Sequence, residues 1–143
     1  MTQLLNDWSR RKKVIVGFLV VVLAITTPLS AYLFREMYQA TRVYNTFNED
    51  WIARDYPSAL KLITPGLDPD AAHKSFQSFF SLLDKQVGSL RSYKSGGINT
   101  EESTVGSHTT IHAHLAFERG EADFVYTLKK VQGHWYVDKI DQE

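Results

Sequence analysis

The chain has no cysteine among its 143 residues. That excludes disulfides, thiol nucleophiles and thiolate metal sites. It also lacks a Gly-rich phosphate loop, a Walker motif, a nucleophile elbow and an HExxH helix, so the usual signatures of nucleotide binding, serine-type hydrolysis and zinc peptidase chemistry are missing. Its formal net charge is zero, with 16 Lys/Arg against 16 Asp/Glu. A chain with no basic excess is a poor match for nucleic acid, whose phosphates demand a basic patch, and no nucleic-acid partner is expected. Charge is absent altogether from residues 14–34.

The zero balance hides an asymmetry. Residues 1–35 carry five Lys/Arg and one Asp, whereas residues 36–143 carry eleven Lys/Arg and fifteen Asp/Glu. The uncharged run of 21 residues, Val14 to Phe34, spans roughly 30 Å as a helix at ~1.5 Å per residue, the thickness of a hydrocarbon core. Arg10-Arg11-Lys12-Lys13 precede it, and Arg35 alone follows before Glu36. The excess of cations on the N-terminal side predicts a cytoplasmic N-terminus and an extracytoplasmic C-terminal part. Trp8 and Tyr32 sit near the two ends, where interfacial aromatics belong. The expected organisation is a basic cytoplasmic segment 1–13, a transmembrane helix 14–34 and an extracytoplasmic domain 35–143, held in a cell inner (plasma) membrane. A cleaved signal peptide is the competing reading. Val14 to Ile25 would be its apolar core, and Ala31 the last residue removed, although Leu29 is a poor fit two positions before it.

No low-complexity linker follows. Met37, Ala40, Tyr44, Phe47 and Trp51 keep a helical period, so the helix is expected to run on into the domain. Asp55-Tyr56-Pro57-Ser58 breaks it, and a short second helix is expected with Ala59, Leu60, Leu62 and Ile63 as its apolar side, ended by Thr64-Pro65-Gly66. Asp68 and Pro69 are suited to the N-cap and first position of a third helix. Its stripe is Ala72, Phe76, Phe79, Phe80, Leu83 and Val87, and Gly88 closes it.

From residue 89 the period changes to two. Ser89 to Ile98 is a strand with a bulge or bend predicted at Gly96-Gly97, and Glu101-Glu102 reads as a solvated turn. Residues 103–118 alternate next. Val105, Thr109, Ile111, Ala113, Leu115 and Phe117 share one face, with Thr104, His108, Thr110, His112 and His114 on the other. A two-residue turn at Arg119-Gly120 would pair Leu115 with Phe124, Ala113 with Tyr126 and Ile111 with Leu128, and would set Glu118 against Glu121. Gln132-Gly133 makes a second hairpin, leading to a last strand with Trp135 and Val137 alternating. The fold class is therefore α+β: an N-terminal transmembrane helix, then about three helices packed on a curved antiparallel sheet of about four strands.

Three segments within residues 43–140 carry a family resemblance. They are the aromatic helix ending in Trp51-Ile-Ala-Arg-Asp-Tyr56-Pro-Ser-Ala59-Leu60, the Phe79-Phe80 helix leading to Gly88-Ser-Leu90-Arg-Ser-Tyr93, and the closing Gly133-His-Trp135-Tyr-Val137. The chain resembles the nuclear-transport-factor-two-like superfamily, the cystatin-like α+β domains that include the steroid isomerases. That resemblance implies a sheet and helices enclosing a cavity, used by some members for catalysis and by many for binding partners. Membrane-anchored members of similar layout include an inner-membrane component of type IV secretion systems, for which this chain is short.

Candidate chemistry is sparse. His112 and His114 would lie roughly 6.6 Å apart at ~3.3 Å per residue, near enough to share a metal. His108, roughly 13 Å from His112 by the same rise, would not join them. Asp123 is a diagonal third ligand, while Thr127 and Val125 opposite the pair offer little. A polar outer sheet face accounts for the same histidines, as does a pH-sensitive contact surface. Tyr44, Tyr93 and Tyr126 are inward hydroxyls, but no inward Asp or Glu on the two best strands accompanies them. Asp50, Asp55 and Asp84 fall at helix ends, where carboxylates cap. No catalytic residue, cofactor or metal is therefore assigned. The expected function is a non-enzymatic protein-interaction module with a membrane or envelope protein as partner. A small-ligand or enzymatic cavity domain and a metal-binding assembly accessory are the alternatives.

Overall fold

The structure, a computed structural model, describes residues 2–66, 68–103 and 106–143. The chain divides into two compact units, Met1–Glu36 and Met37–Glu143. Among the described residues seven elements follow in order: helices α1 (Thr2–Ile52), α2 (Tyr56–Leu60) and α3 (Pro69–Gln86), then strands β1 (Leu90–Ser103), β2 (Gly106–Phe117), β3 (Gly120–Val131) and β4 (His134–Gln142). The fold is α+β.

In the first unit, α1 carries the apolar run, and this helix is long and apolar enough to cross a membrane. Every side chain from Val14 to Phe34 is exposed, which is costly in water and suited to hydrocarbon. The polar stretch Thr26 to Ser30 does not break the helix. The Thr26 hydroxyl donates to the Val22 carbonyl (2.9 Å), that of Thr27 to Leu23 (2.6 Å) and that of Ser30 to Thr26 (2.5 Å). Each hydroxyl is thus satisfied within the helix, which keeps its cost low in a solvent without donors or acceptors. Pro28, with no N–H to give, is accommodated inside α1. The side chains of Trp8 and of Arg10 to Lys12 lie outside the described residues.

In the second unit the apolar stripe of α1 is buried as its spacing predicts: Ala40, Tyr44, Phe47 and Trp51 are all at most 2% exposed. Asp55 caps α2, its carboxylate accepting from the Ser58 N–H (3.2 Å) and hydroxyl (2.7 Å). Hydrogen bonding to the charged form holds the Asp55 carboxyl below its usual range, the hydroxyl contact contributing most. Leu62 and Ile63, expected in this second helix, lie beyond it. α2 is a single turn, and Ile63 forms a parallel bridge with Val137 of β4. There the Val137 N–H donates to the Leu62 carbonyl (2.7 Å), and the Thr64 N–H donates to the Val137 carbonyl (2.9 Å). The β-branched Ile63 and the coming Pro65 favour extended backbone over another helical turn. α3 begins as the sequence suggests: Asp68 accepts from the Ala71 N–H (3.1 Å), with Pro69 at the first helical position.

The four strands form one antiparallel sheet in the order β1-β2-β3-β4. Its inner face is Thr109, Ile111, Ala113, Leu115 and Phe117 of β2, Phe124, Tyr126 and Leu128 of β3, and Trp135 and Val137 of β4, all buried. This is the alternation expected. Thr104 and Val105, assigned to opposite faces, lie outside the described residues. The predicted irregularity at Gly96-Gly97 appears as a register shift between Ser95 and Ile98. Glu101 and Glu102 are not a turn. They continue β1, opposite His108 and Ser107.

The β2–β3 register also differs from expectation. Phe117 pairs with Gly120, so the two-residue turn is Glu118-Arg119, and Leu115 faces Ala122, Ala113 faces Phe124 and Ile111 faces Tyr126. Each partner moves by two residues, which leaves every side chain on its expected face. The shift removes the Glu118–Glu121 repulsion and ties the turn to the α3–β1 junction. The Glu118 N–H donates to the Ser89 carbonyl (3.0 Å), the Arg119 N–H to Val87 (2.9 Å) and the Arg119 guanidinium to the Lys85 carbonyl (2.9 Å). The Glu118 carboxylate meets Arg91.

Gly88 and Gly133 both need positive φ, at +81° and +83°, but they differ in surroundings. A Cβ on Gly88 would stand 2.6 Å from the Glu118 carboxylate and 2.9 Å from its Cβ, whereas one on Gly133 would meet nothing within 4 Å. Gly133→Ala should cost only the left-handed backbone penalty, about 1–2 kcal/mol. Gly88→Ala should cost more, because Glu118 must also move. Urea denaturation of both variants in detergent checks the order, and equal losses would contradict it.

Candidate functional site

Two places gather polar side chains in the second unit: the space between helices and sheet, and the outer sheet face. The interior is filled by interlocking rings. Phe47 lies 6.0 Å from Phe80 and 6.2 Å from Tyr126, Trp51 lies 4.9 Å from Phe80 and 6.0 Å from Phe117, and Phe79 lies 6.3 Å from Phe124. Tyr56 stacks on Phe80 at 5.2 Å, its hydroxyl donating to Asp84 (3.1 Å). Such stacked, tilted and edge-on packing fixes ring orientation beyond what burial alone would do.

The three tyrosines named from the sequence converge. The Tyr44 ring stands edge-on to Tyr126 at 4.9 Å and to Tyr93 at 5.6 Å. The Tyr126 hydroxyl donates to Asn48 Oδ1 (2.7 Å), and Asn48 Nδ2 donates to the Tyr44 carbonyl (2.9 Å). The Tyr44 hydroxyl is buried without a hydrogen-bond partner among the described residues. Burial pushes the phenols of Tyr44, Tyr93 and Tyr126 above their ordinary value, most strongly for Tyr126, and the Glu49 carboxylate beside Tyr93 raises that one further. All three are thus neutral phenols, held so first by burial. Asn48 was not singled out from the sequence. Its signal is a polar residue one turn after Tyr44 on the apolar stripe of α1. Asp55 and Asp84 serve as a cap and an acceptor, and Asp50, raised first by burial and then by Asp55 and Glu49, stays near the end of α1.

The outer face presents His108, His112 and His114 along β2, as parity requires. The corrected register puts His114 directly opposite Asp123 and His112 opposite Val125. Each ring meets its own carboxylate. His114 Nδ1 lies 2.6 Å from Asp123 and its Nε2 lies 3.1 Å from Glu121, His112 Nδ1 lies 2.5 Å from Glu143, and His108 Nε2 lies 3.4 Å from Glu101. The four contacts reach residues of β1 and β3 and Glu143 just past β4, a ladder across the sheet. Lys94, Lys129 and Lys139 stand among them in the pairing rows, and Lys139 bridges Asp141 at 2.8 Å. Among the described residues no three His, Asp or Glu side chains come together in an arrangement that holds a metal ion. The ladder uses both ring nitrogens of His114 and Nδ1 of His112 in hydrogen bonds.

Only the imidazolium has two N–H groups to give to two carboxylates. Asp123, and after it Glu121, accordingly raise the His114 pKa above 6.5. The sign follows from linkage: the pairing is fully present below the unfolded value and is lost as pH rises through the raised folded value. Compared with known proteins, the chain matches no protein-family model and no curated sequence.

Two predictions follow from these sites. In NMR titration His114 should titrate above 6.5, and Asp123→Asn should bring it down further than Glu121→Gln. A wild-type value at or below the ordinary one would deny the pairing. In the interior, Tyr126→Phe should cost about 1–3 kcal/mol because it strands the buried Asn48 oxygen. Tyr44→Phe, removing a hydroxyl that bonds nothing described, should be neutral or stabilising in the same denaturation assay.

Proposed function

We propose that the protein is a single-pass membrane-anchored interaction module. Residues 14–34 would hold it in a bacterial-type inner membrane with the basic N-terminus in the cytoplasm. The α+β domain would contact an envelope or membrane protein through its outer sheet face. The carrying observation is the division of labour between the two faces of the sheet. The inner face is consumed by packed rings and phenols held neutral. The outer face is uncovered, and its side chains are ordered by histidine–carboxylate pairs. Ordered polar groups on a rigid scaffold lose little entropy on docking, which suits recognition of a partner.

The anchor reading draws support from the uncharged length of the run, from its exposure and from the inward satisfaction of its hydroxyls. The sequence of helices followed by an antiparallel meander, with Trp51, Phe80 and Trp135 in one core, supports membership of the nuclear-transport-factor-two-like superfamily. A ligand cavity or active site would need open interior space lined by convergent polar groups. The ring lattice between α1, α3 and the sheet weighs against that.

Two measurements test the proposal. The full-length chain should resist carbonate extraction from membranes, and release by carbonate or a processed N-terminus would sink the anchor. A photo-crosslinking residue at Thr127, on the outer face, should capture a membrane or envelope protein that the same residue at Gln77, exposed on α3, does not. Equal capture at both positions would remove the outer face as the docking surface.

A further inference from the structure

A groove of about 450 Å³ opens on the second unit between α1 and the β3–β4 hairpin. Its polar lining is Gln39, Arg42, His134 and Tyr136, with Leu62 and Trp135 among the apolar lining, and among the described residues no acidic one lines it. Guanidinium, amide, imidazole and phenol all donate hydrogen bonds, and Arg42 adds a fixed positive charge. Among the described residues the Arg42 guanidinium meets no carboxylate, although the domain as a whole is acidic. A donor-rich, cationic groove in an acidic domain is complementary to an anion. The hairpin leaves it accessible: Gln132 and Gly133 turn the chain with φ of 50° and 83°, and the space where a Gly133 side chain would stand is open.

Covalent reach narrows the choice of anion. Four residues, 35–38, separate Phe34 at the end of the apolar run from Gln39 in the groove lining, a reach of five residue steps. A chain of that length extends at most roughly 18 Å. If the run spans a membrane, the groove therefore cannot leave the neighbourhood of the headgroup layer. Half-buried Tyr136 is of an aromatic type that settles at that interface, and Arg is the side chain best shaped to fork onto a phosphate. We propose that this groove binds the phosphate of an anionic phospholipid headgroup, with Arg42 as its principal charge, His134 and Tyr136 as further donors, and Leu62 against the glycerol and upper acyl methylenes. This rests on the membrane-anchor reading and adds to it a second, headgroup-level attachment of the domain.

The test uses the full chain in nanodiscs of phosphatidylcholine alone or of phosphatidylcholine mixed with phosphatidylglycerol. Hydrogen–deuterium exchange is followed in the peptides covering residues 39–43 and 133–136. Slower exchange in the phosphatidylglycerol discs, lost in both Arg42→Gln and Arg42→Glu, is the expected result. Equal exchange in the two lipids, with the chain retained in both discs, overturns the groove while leaving the anchor standing. Protection by inorganic phosphate in the phosphatidylcholine discs, as strong as that by phosphatidylglycerol, would make this a soluble-anion site and overturn the lipid assignment. Failure of the chain to enter either disc would sink the anchor reading and this inference with it.

Discussion

Phe47 is where the second unit closes. Its ring touches Trp51 on its own helix, Phe76 and Phe80 on α3 and Tyr126 on β3, so one side chain joins both helices to the sheet. Around it the remaining rings set the distance between layers, because aromatic pairs hold only a narrow range of separations and tilts. The caps at Asp55 and Asp68 decide where α2 and α3 begin. The rings decide how far those helices stand from the strands, and so which strand residues are covered. The outer face is polar for the same reason: the helices are all spent on the inner one.

That dependence explains what could be read from the chain and what could not. The stripes of α1 and α3 and the alternation in β2, β3 and β4 are local periodic signals, and each inner-face residue from Thr109 to Val137 follows from them. Hairpin register is not periodic. Shifting it by two keeps Leu115 and Phe124 indoors while changing both partners, so hydrophobic matching alone could not choose between the registers. The choice was made by Glu118 and Arg119, whose contacts with Arg91, Ser89, Val87 and Lys85 join segments far apart in sequence. The second helix failed for a related reason. Leu62 and Ile63 suit a helix by pattern, but Val137 offers them backbone partners some 75 residues away.

The polar sites divide similarly. That His108, His112 and His114 share a face was legible from parity. That each would have its own carboxylate was not, since Glu101 had to be in a strand rather than a turn, Asp123 had to come directly opposite His114, and β4 had to bring Glu143 across to His112. Asn48 shows the opposite case. A polar residue on an apolar stripe is visible in the sequence, yet its role appears only once Tyr126 arrives from another layer with a hydroxyl to share.

The bridge between Ile63 and Val137 bears on how this protein can fail as well as on how it folds. A β-sheet grows into fibres by adding strands at both borders, and each new strand needs a row of free amides and carbonyls to copy. Here the border at β4 is interrupted at its centre, where both backbone groups of Val137 are already engaged. The other border, β1, is kinked at Gly96-Gly97. Growth confined to one irregular border ends after a single pairing, so the domain is protected from stacking into open-ended assemblies.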